Sequence, residues 1–485
     1  MSIRSAAIWA MAAQYAAFAI QFLVSVIISR FFLTPAEVGL FSIALAAALL
    51  ISVLQDFGLN RYIAGSGFLD DAHLRVCSSV AFLFSLAIAG LIAACAWPAG
   101  IFYDDMRLAP LLLIIAASYL LVPFSIVPSA LLTRDMDFRS LFFVNVGGAF
   151  VNGGTALLLA MMGFSAYSLA WAMVGQAVAR AVISQWRRRA MVPFPLQLKG
   201  AAQVVRFGSA SSALIMCGAL GVRSADLIVG RLQGLTAVGL FSRADSLAGQ
   251  LRMLVAGAIG AVFYPVFAKI RDQGLPLGPP YQRVVAGYTA VIWPAMAGLA
   301  AASQPLVLLL YGERWEAVAP LLMWIAFSEM CFVALPLHTE LPILLGRIGI
   351  LIAYNLCDTI ASVLLLVVGA RWGIEWAAIS RLAYGIVWIA IYARFLRKLI
   401  GFEWRAMLAI YARSGLATLA AVAPMLLAYQ YWRAPIALGL DGLLLTTVAG
   451  VLCWLATLFA LRHPVTEEIT AIFADVCKGL KRSLG

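Results

Sequence analysis

Long apolar stretches occupy most of this 485-residue chain, from near its first residue to near its last. Fourteen of them are long enough, at about 1.5 Å per residue, to cross a membrane as helices. The predicted spans cover residues 6–32, 38–60, 74–97, 109–132, 141–162, 164–185, 204–230, 237–267, 284–310, 317–338, 347–369, 375–396, 407–429 and 437–461. None shows the alternation of a membrane β-barrel, so the pattern predicts an all-α, polytopic membrane protein.

Two short sequences recur in the second half of the chain. Residues 33–42, LTPAEVGLFS, return at 235–242 as LTAVGLFS, and residues 110–118, PLLLIIAAS, return at 320–328 as PLLMWIAFS. Internal repeats are typical of transporters built from two similar membrane halves. The repeat therefore predicts two six-helix bundles, with the last two spans as additions.

The repeat and the span pattern together predict five regions. They are an N-terminal six-helix bundle (1–185), a cytoplasmic linker (186–203), a C-terminal six-helix bundle (204–398), two additional transmembrane helices (399–461) and a cytoplasmic amphipathic tail (462–485). The tail is expected to lie on the inner membrane face because its apolar residues recur at helical spacing beside lysines and an arginine.

Composition and charge agree with a membrane protein. Apolar residues make up 64% of the chain and charged residues 12%, which excludes a soluble globular protein. The net charge of +12 could indicate a nucleic-acid partner. However, most Lys and Arg residues fall in alternate loops, as expected for cytoplasmic loops, so we expect no nucleic acid and both termini in the cytoplasm.

The cysteines and histidines do not form a recognisable chemical site. The seven cysteines lie mostly in apolar segments without a CxxC pair, and the three histidines are scattered. The spacing predicts neither a metal site nor a disulfide. Because the sequence also lacks a Walker motif, we expect no cofactor and no direct use of ATP.

The eighth span carries one strongly polar half. At about 100 degrees per residue, this half collects Arg243, Asp245, Ser246, Gly249, Gln250 and Arg252. A charge at mid-bilayer costs roughly 2.5–3.5 kcal/mol on insertion scales, so this half must face away from lipid. It could line an aqueous cavity, or it could form an internal packing face on which Asp245 neutralises an arginine.

Other spans carry fewer polar residues. Gln14 and Gln21 share one stripe of the first span, where a cavity wall and interhelical hydrogen bonding are equally good interpretations. In the seventh span Arg223 and Asp226 are three residues apart and can pair within the helix. Single charges occupy later spans, and prolines within or beside spans predict bends or fixed kinks. These charges are Arg180, Glu329, Asp358 and Arg381, and the prolines are Pro123, Pro128, Pro265, Pro294 and Pro336.

The motifs resemble a known family. Residues 33–41, followed by DFGL at 56–59, look like Wzx-type polysaccharide flippases. DLIVGR at 226–231 and YGERW at 311–315 are similar to the WzxC and TuaB branch. The resemblance implies the fold of the multidrug, oligosaccharidyl-lipid and polysaccharide exporter superfamily, in which two bundles form a V around a central cavity.

The resemblance also implies an activity. Such proteins move a polyprenyl-diphosphate-linked oligosaccharide to the outer leaflet by alternating access, for lipopolysaccharide, exopolysaccharide or capsule synthesis. In related lipid flippases, basic residues in spans one, two, seven and eight hold the diphosphate, which points to Arg243 and Arg252 here. Gln14 and Gln21 replace a basic cluster found in peptidoglycan-precursor flippases, which argues against that substrate.

These arguments predict a set of functional residues. The expected substrate-binding residues are Arg243, Arg252, Asp245, Gln250, Gln14, Gln21, Arg223 and Asp226. The candidate carriers of a coupling proton or sodium ion are Asp226, Asp245, Glu329 and Asp358.

The expected setting is the bacterial inner membrane, where the partners are a lipid-linked oligosaccharide, membrane lipids, and a polysaccharide polymerase with its export machinery. No enzymatic activity is expected. One alternative is a cation-coupled multidrug or small-molecule exporter of the same fold. The other is a membrane glycosyltransferase or polymerase, for which Asp104 and Asp105 are the only similar loop residues.

Overall fold

The computed structural model describes residues 3–53, 59, 62–63, 70–190, 194–432 and 438–466. The regular elements in these ranges are all helical. Their bounds are α1 (Ile3–Phe31), α2 (Pro35–Ser52), α3 (Asp71–Phe102), α4 (Leu108–Leu121), α5 (Pro123–Arg134), α6 (Phe138–Met161), α7 (Tyr167–Arg187), α8 (Ala201–Gln233), α9 (Leu235–Asp272), α10 (Gly278–Ala301), α11 (Ser303–Tyr311), α12 (Val318–Val333), α13 (Glu340–Leu344), α14 (Ile348–Trp372), α15 (Ile374–Ile400), α16 (Trp404–Trp432) and α17 (Leu440–Ala460). The motif residues 56–58 and the predicted tail beyond 466 lie outside the described residues.

Within the described residues, each predicted span coincides with a helix or a pair of helices, which confirms the all-α polytopic fold class. Nine helices of the described chain are each long and apolar enough to cross a membrane. The bent pair of α4 and α5, whose axes differ by 46°, adds a tenth crossing if it counts as one span. Large apolar side chains such as Phe150 and Leu419 are 70% and 69% exposed, as expected for lipid-facing surface. The chain is a multi-pass membrane protein.

The chain divides into two compact units, Met1–Ser242 and Arg243–Gly485. In the first unit α6 packs against α1 and α7, α4 packs against α3 and α7, and α2 packs against α8. A buried cluster that includes Ile63, Cys77 and Val127 forms part of its core. In the second unit α12 packs against α10 and α15, and α16 packs against α10 and α17. The region boundaries expected from the sequence stay a prediction.

The first repeat segment begins α2 with a complete capping box. The Thr34 backbone N–H donates to the Glu37 carboxylate at 2.7 Å, and the Glu37 N–H donates to the Thr34 hydroxyl at 3.4 Å. Pro35 occupies the first helical turn, where its missing N–H costs nothing. Glu37 also accepts a hydrogen bond from the Ser165 hydroxyl, next to the start of α7. The recurring motif therefore has a structural role of its own.

The two copies of the repeat contact each other through their glycines. A Cβ added at Gly39 would overlap the backbone oxygen of Leu235, and one added at Gly239 would overlap that of Pro35. Three residues farther on, Ser42 donates to Ser242 at 3.0 Å. The backbones approach closely here because neither glycine has a Cβ, and any other residue at Gly39 or Gly239 would collide with the opposite backbone.

Pro294 interrupts the hydrogen-bond ladder of α10 without ending the helix. Because proline has no backbone N–H, the carbonyl of Ala290, four residues earlier, lacks its helical partner. The indole Nε1 of Trp454 on α17 donates to that oxygen at 2.8 Å. The proline in one helix thus creates an anchor for another.

The same arrangement recurs where α10 gives way to α11. Pro305 cannot donate to the carbonyl of Ala301, and the hydroxyl of Tyr429 on α16 donates to it at 2.6 Å. Both C-terminal helices of the second unit are therefore attached to α10 by hydrogen bonds to carbonyls that prolines leave available.

Candidate functional site

The polar half of α9 is held by ion pairs to other helices of the second unit. Arg252 Nε lies 2.6 Å from Oε2 of Glu329, which is on α12. The N–H is not aimed at that oxygen, so the contact is an ion pair without an aligned hydrogen bond. The Glu329 side chain is 5% exposed, whereas the Arg252 side chain is 46% exposed.

A second ion pair lies beside the first. Arg381 on α15 approaches Asp245 on α9 at 3.5 Å, and its side chain is 13% exposed. The two pairs act on each other, because Arg381 and Asp245 both influence the Glu329 carboxyl electrostatically. Asp245, Arg252, Glu329 and Arg381 together form what we call the charge cluster, which is neutral overall when all four residues are ionised.

Arg243 has a different environment. Its guanidinium carbon lies 5.6 Å from the ring centre of Tyr311 and 5.5 Å from that of Trp315. Trp315 is fully buried, and both aromatic residues belong to the YGERW motif noted in the sequence. Cation–π contacts of this kind are worth about 0.5–2 kcal/mol. Arg243 on α9 therefore packs against two aromatic rings of the YGERW motif, and these contacts stabilise the packing of the motif on α9.

Asp358, one of the candidate ion carriers, is half-buried on α14 and accepts a hydrogen bond from the Tyr384 hydroxyl at 2.8 Å. Three residues before it, Asn355 accepts a hydrogen bond from Tyr392 at 2.5 Å. Arg381 of the charge cluster also acts electrostatically on Asp358. Three of the four candidate carriers, Asp245, Glu329 and Asp358, therefore interact electrostatically with the same arginine, Arg381.

The remaining candidates lie elsewhere. Gln14 and Gln21 are exposed on α1, and Arg223 and Asp226 are half-buried on α8. Asp226 is close enough to Tyr103 to influence it electrostatically. Gln250 is half-buried on α9, beside the charge cluster in sequence. The roles assigned to these residues in substrate binding stay predictions.

An apolar groove lies beside α9, against Leu251, the residue before Arg252. It is a cavity of about 390 Å³ bounded by α10, α16 and α17, and Leu251 contributes to its wall. Pro294, Gly298, Met425 and Trp454 also line it. Sequence reasoning missed this groove, although the small residues of α10 and α17 are the signal that could have indicated close packing there.

Potential metal ligands are dispersed in the described part of the chain. Within the described ranges, no group of three or more histidine, cysteine, aspartate or glutamate side chains could hold a metal ion. The described cysteines, among them Cys77 and Cys331, carry free thiols.

Comparisons with known proteins are consistent with one another. A family model described as polysaccharide biosynthesis protein matches residues 27–320, more than half of the chain. Succinoglycan biosynthesis transport protein ExoT of Rhizobium meliloti is 25% identical over 417 residues, which cover 82% of this chain and 78% of that protein. Lipopolysaccharide biosynthesis protein WzxC of Escherichia coli is 24% identical over 350 residues, which cover 69% of this chain and 68% of that protein.

Solved structures share the fold. The lipid II flippase MurJ in an inward closed conformation superposes with a TM-score of 0.74 at 13% identity, over 94% of this chain and 99% of that one. A multidrug resistance transporter of the MATE family, facing inward, gives a TM-score of 0.54 at 15% identity, over 82% of this chain and 96% of that one. At these identities the likeness shows the fold alone.

Proposed function

The chain belongs to the polysaccharide biosynthesis protein family, and we propose that it moves polyprenyl-diphosphate-linked oligosaccharide units across the bacterial inner membrane. ExoT is named a succinoglycan biosynthesis transport protein, and WzxC is named a lipopolysaccharide biosynthesis protein. Both names support a lipid-linked oligosaccharide as the class of substrate. The proposal includes the expected orientation, with both termini in the cytoplasm, and translocation by alternating access without catalysis.

One observation carries the proposal. Leu251 contributes to the wall of the apolar groove, and the next residue, Arg252, has a side chain that is 46% exposed. A polyprenyl diphosphate likewise combines an apolar tail with a negatively charged head. The groove offers the tail an apolar surface in place of lipid, so its contribution to binding is close packing. Arginine binds phosphate oxygens in pairs and stays charged.

We assign the diphosphate first to Arg252, because Arg243 is already occupied by two aromatic rings. The sugar part would contact polar side chains, for which Gln14, Gln21 and Gln250 are the candidates. A hydrated path is needed because each unpaired polar group of a sugar costs a few kcal/mol in hydrocarbon. We also propose Arg223 and Asp226 as further contacts of the substrate.

Coupling to an ion gradient is a separate proposal. Asp226, Asp245, Glu329 and Asp358 are the candidate carriers of a proton or a sodium ion. Ionophores that collapse one gradient at a time in proteoliposomes would identify the ion. A transport rate that does not respond to either gradient would reject the coupling.

Translocation is testable with purified protein in proteoliposomes that contain a fluorescent polyprenyl-diphosphate oligosaccharide. Arg252→Gln should slow the appearance of label in the opposite leaflet by about tenfold or more, since a charge-assisted contact is worth about 1.5–3 kcal/mol. Arg394→Gln, which removes an exposed arginine of α15, is the matched control and should transport normally.

The groove is tested in the same assay. A Cβ added at Gly298 meets no atom within 4 Å, so the side chain of Gly298→Leu starts in open space and extends into the groove that Gly298 lines. Gly90→Leu, at an equally open position of α3, is its control. Unchanged transport by both Arg252→Gln and Gly298→Leu would contradict the proposed site.

A further inference from the structure

The two partners of the Arg252–Glu329 ion pair differ in solvent exposure, and this difference affects which of them a ligand can reach. The carboxylate is buried, whereas nearly half of the guanidinium side chain is exposed. An arginine has five N–H donors, and its contact to Glu329 is poorly aligned. An incoming anion can therefore reach Arg252 from the exposed side, but it cannot reach Glu329.

Three packed helices, α9, α15 and α10, contribute residues near Glu329. α9 contributes Arg252 and Asp245, and α15 contributes Arg381, which itself lies 3.5 Å from Asp245. From α10, Trp293 donates to the carbonyl of Met330 at 2.9 Å.

The other titratable groups considered interact with Glu329 less directly than Arg252 does. The charged residue of α10, Arg283, lies ten residues before Trp293, which is about 15 Å along the helix. On α12 itself Cys331 is influenced by Glu329, and His338 beyond the helix is influenced by Arg252. Arg252 is therefore the principal cation of Glu329, because Arg381 is shared with Asp245.

We propose that Glu329 is an internal competitor of the substrate diphosphate for Arg252, and that it takes up a proton when the diphosphate binds. This inference rests on the proposed function. In the empty protein the carboxylate holds Arg252. When a diphosphate draws Arg252 away, Glu329 would become a buried carboxylate without its cation, which is strongly unfavourable. Uptake of one proton from the medium neutralises it.

The proposal makes substrate binding and proton binding reciprocal. A diphosphate promotes protonation of Glu329, and protonation of Glu329 must strengthen diphosphate binding by the same factor. Glutamine at this position imitates the protonated acid, because it keeps the shape and removes the charge. Glu329→Gln should therefore bind diphosphate more tightly than the native protein, although it removes an ion pair.

The experiment measures the Kd of geranyl diphosphate for the purified full-length protein in detergent, from pH 6 to pH 8.5. We expect Glu329→Gln to bind about tenfold more tightly at pH 8, with the ratio of the two Kd values approaching one at low pH. Taking the ratio cancels the protonation of the ligand itself. Glu340→Gln removes an exposed carboxylate and should match the native protein at every pH.

A second measurement uses the native protein alone and does not depend on the folding of a variant. Calorimetric titration at pH 8 in buffers of different ionisation enthalpy should show uptake of about one proton per diphosphate bound. Native binding without proton uptake, or equal or weaker binding by Glu329→Gln, would overturn the role of Glu329 while leaving the proposed function intact. If neither protein binds geranyl diphosphate better than geraniol, both proposals fail.

Discussion

The hydrogen bond between Trp454 and the carbonyl of Ala290 provides a quantitative test of how the last two helices are attached. Trp454→Phe keeps an aromatic ring in place but removes the only N–H of the side chain. Because Pro294 has no N–H to offer, the carbonyl then loses the partner it has in α17. In an apolar region such a group has no water to turn to.

The expected loss follows from the contact. An unsatisfied buried carbonyl costs about 1–3 kcal/mol, and interhelical hydrogen bonds in membranes contribute about 0.6–2 kcal/mol. A loss of about 1–2 kcal/mol corresponds to a fall in Tm of about 2–8 °C for a unit of this size. Light scattering of the detergent-purified protein during heating measures it. Trp376→Phe, at a residue 49% exposed on α15, is the control and should leave Tm unchanged.

The second half of the test is a double-mutant cycle. Pro294→Ala restores a backbone N–H four residues after Ala290, so the carbonyl regains a helical partner. Trp454→Phe should then lower Tm by clearly less in the Pro294→Ala background than in the native one. Equal losses in both backgrounds would refute the reasoning, because they would show that the tryptophan acts by packing alone.

Three further predictions use the same thermal assay, and the second of them also requires the diphosphate affinity. Gly39→Ala places a methyl group against a rigid backbone oxygen and should cost about 1–3 kcal/mol, whereas Gly90→Ala, with open space around it, should be neutral or stabilising; equal effects would contradict the close approach. Arg243→Lys loses its planar contact with two rings and should lower Tm by a few degrees with little change in diphosphate affinity; a loss of affinity like that of Arg252→Gln would show instead that it binds substrate. The hydrogen bond from Arg107 lowers the pKa of Asp105, so this carboxylate stabilises the fold above its unfolded-state pKa of about 3.9 and loses that effect as pH falls through the lowered value. The Tm advantage of native protein over Asp105→Asn should therefore shrink below about pH 4, and an advantage independent of pH would exclude the ion pair.

The sequence was most informative about the spans, because long apolar runs leave few alternatives to a helix in lipid. Breaks within spans were harder to predict. Pro123 lies at the bend between α4 and α5, as a proline kink predicts, whereas Pro128 and Pro294 lie inside continuous helices. The difference is that side chains on packed helices satisfy the carbonyls these prolines leave available. For Pro128 this partner is Gln185, which donates to Phe124 at 3.0 Å.

The site was predictable only in part. The polar half of α9 was evident from helical periodicity, and pairing of Asp245 with an arginine was one of the two interpretations left open. The partner, Arg381, is 136 positions away, and no local pattern indicates which distant charge will meet it. Glu329 was identified as a lone intramembrane charge, but its contact with Arg252 depends on how α12 packs. The groove depends on the packing of three helices and was not predicted.

The activity proposed for this protein is delivery of lipid-linked oligosaccharide to the outer leaflet. The most direct test is to quantify that lipid by leaflet in cells with and without the protein, with Arg394→Gln and Arg252→Gln as complementing variants. We expect complete repeat units to accumulate on the cytoplasmic leaflet without the protein, and we expect Arg394→Gln but not Arg252→Gln to restore their export. Equal leaflet distributions with and without the protein would contradict it and favour export of small molecules, while unpolymerised units on the outer leaflet would indicate a polymerase.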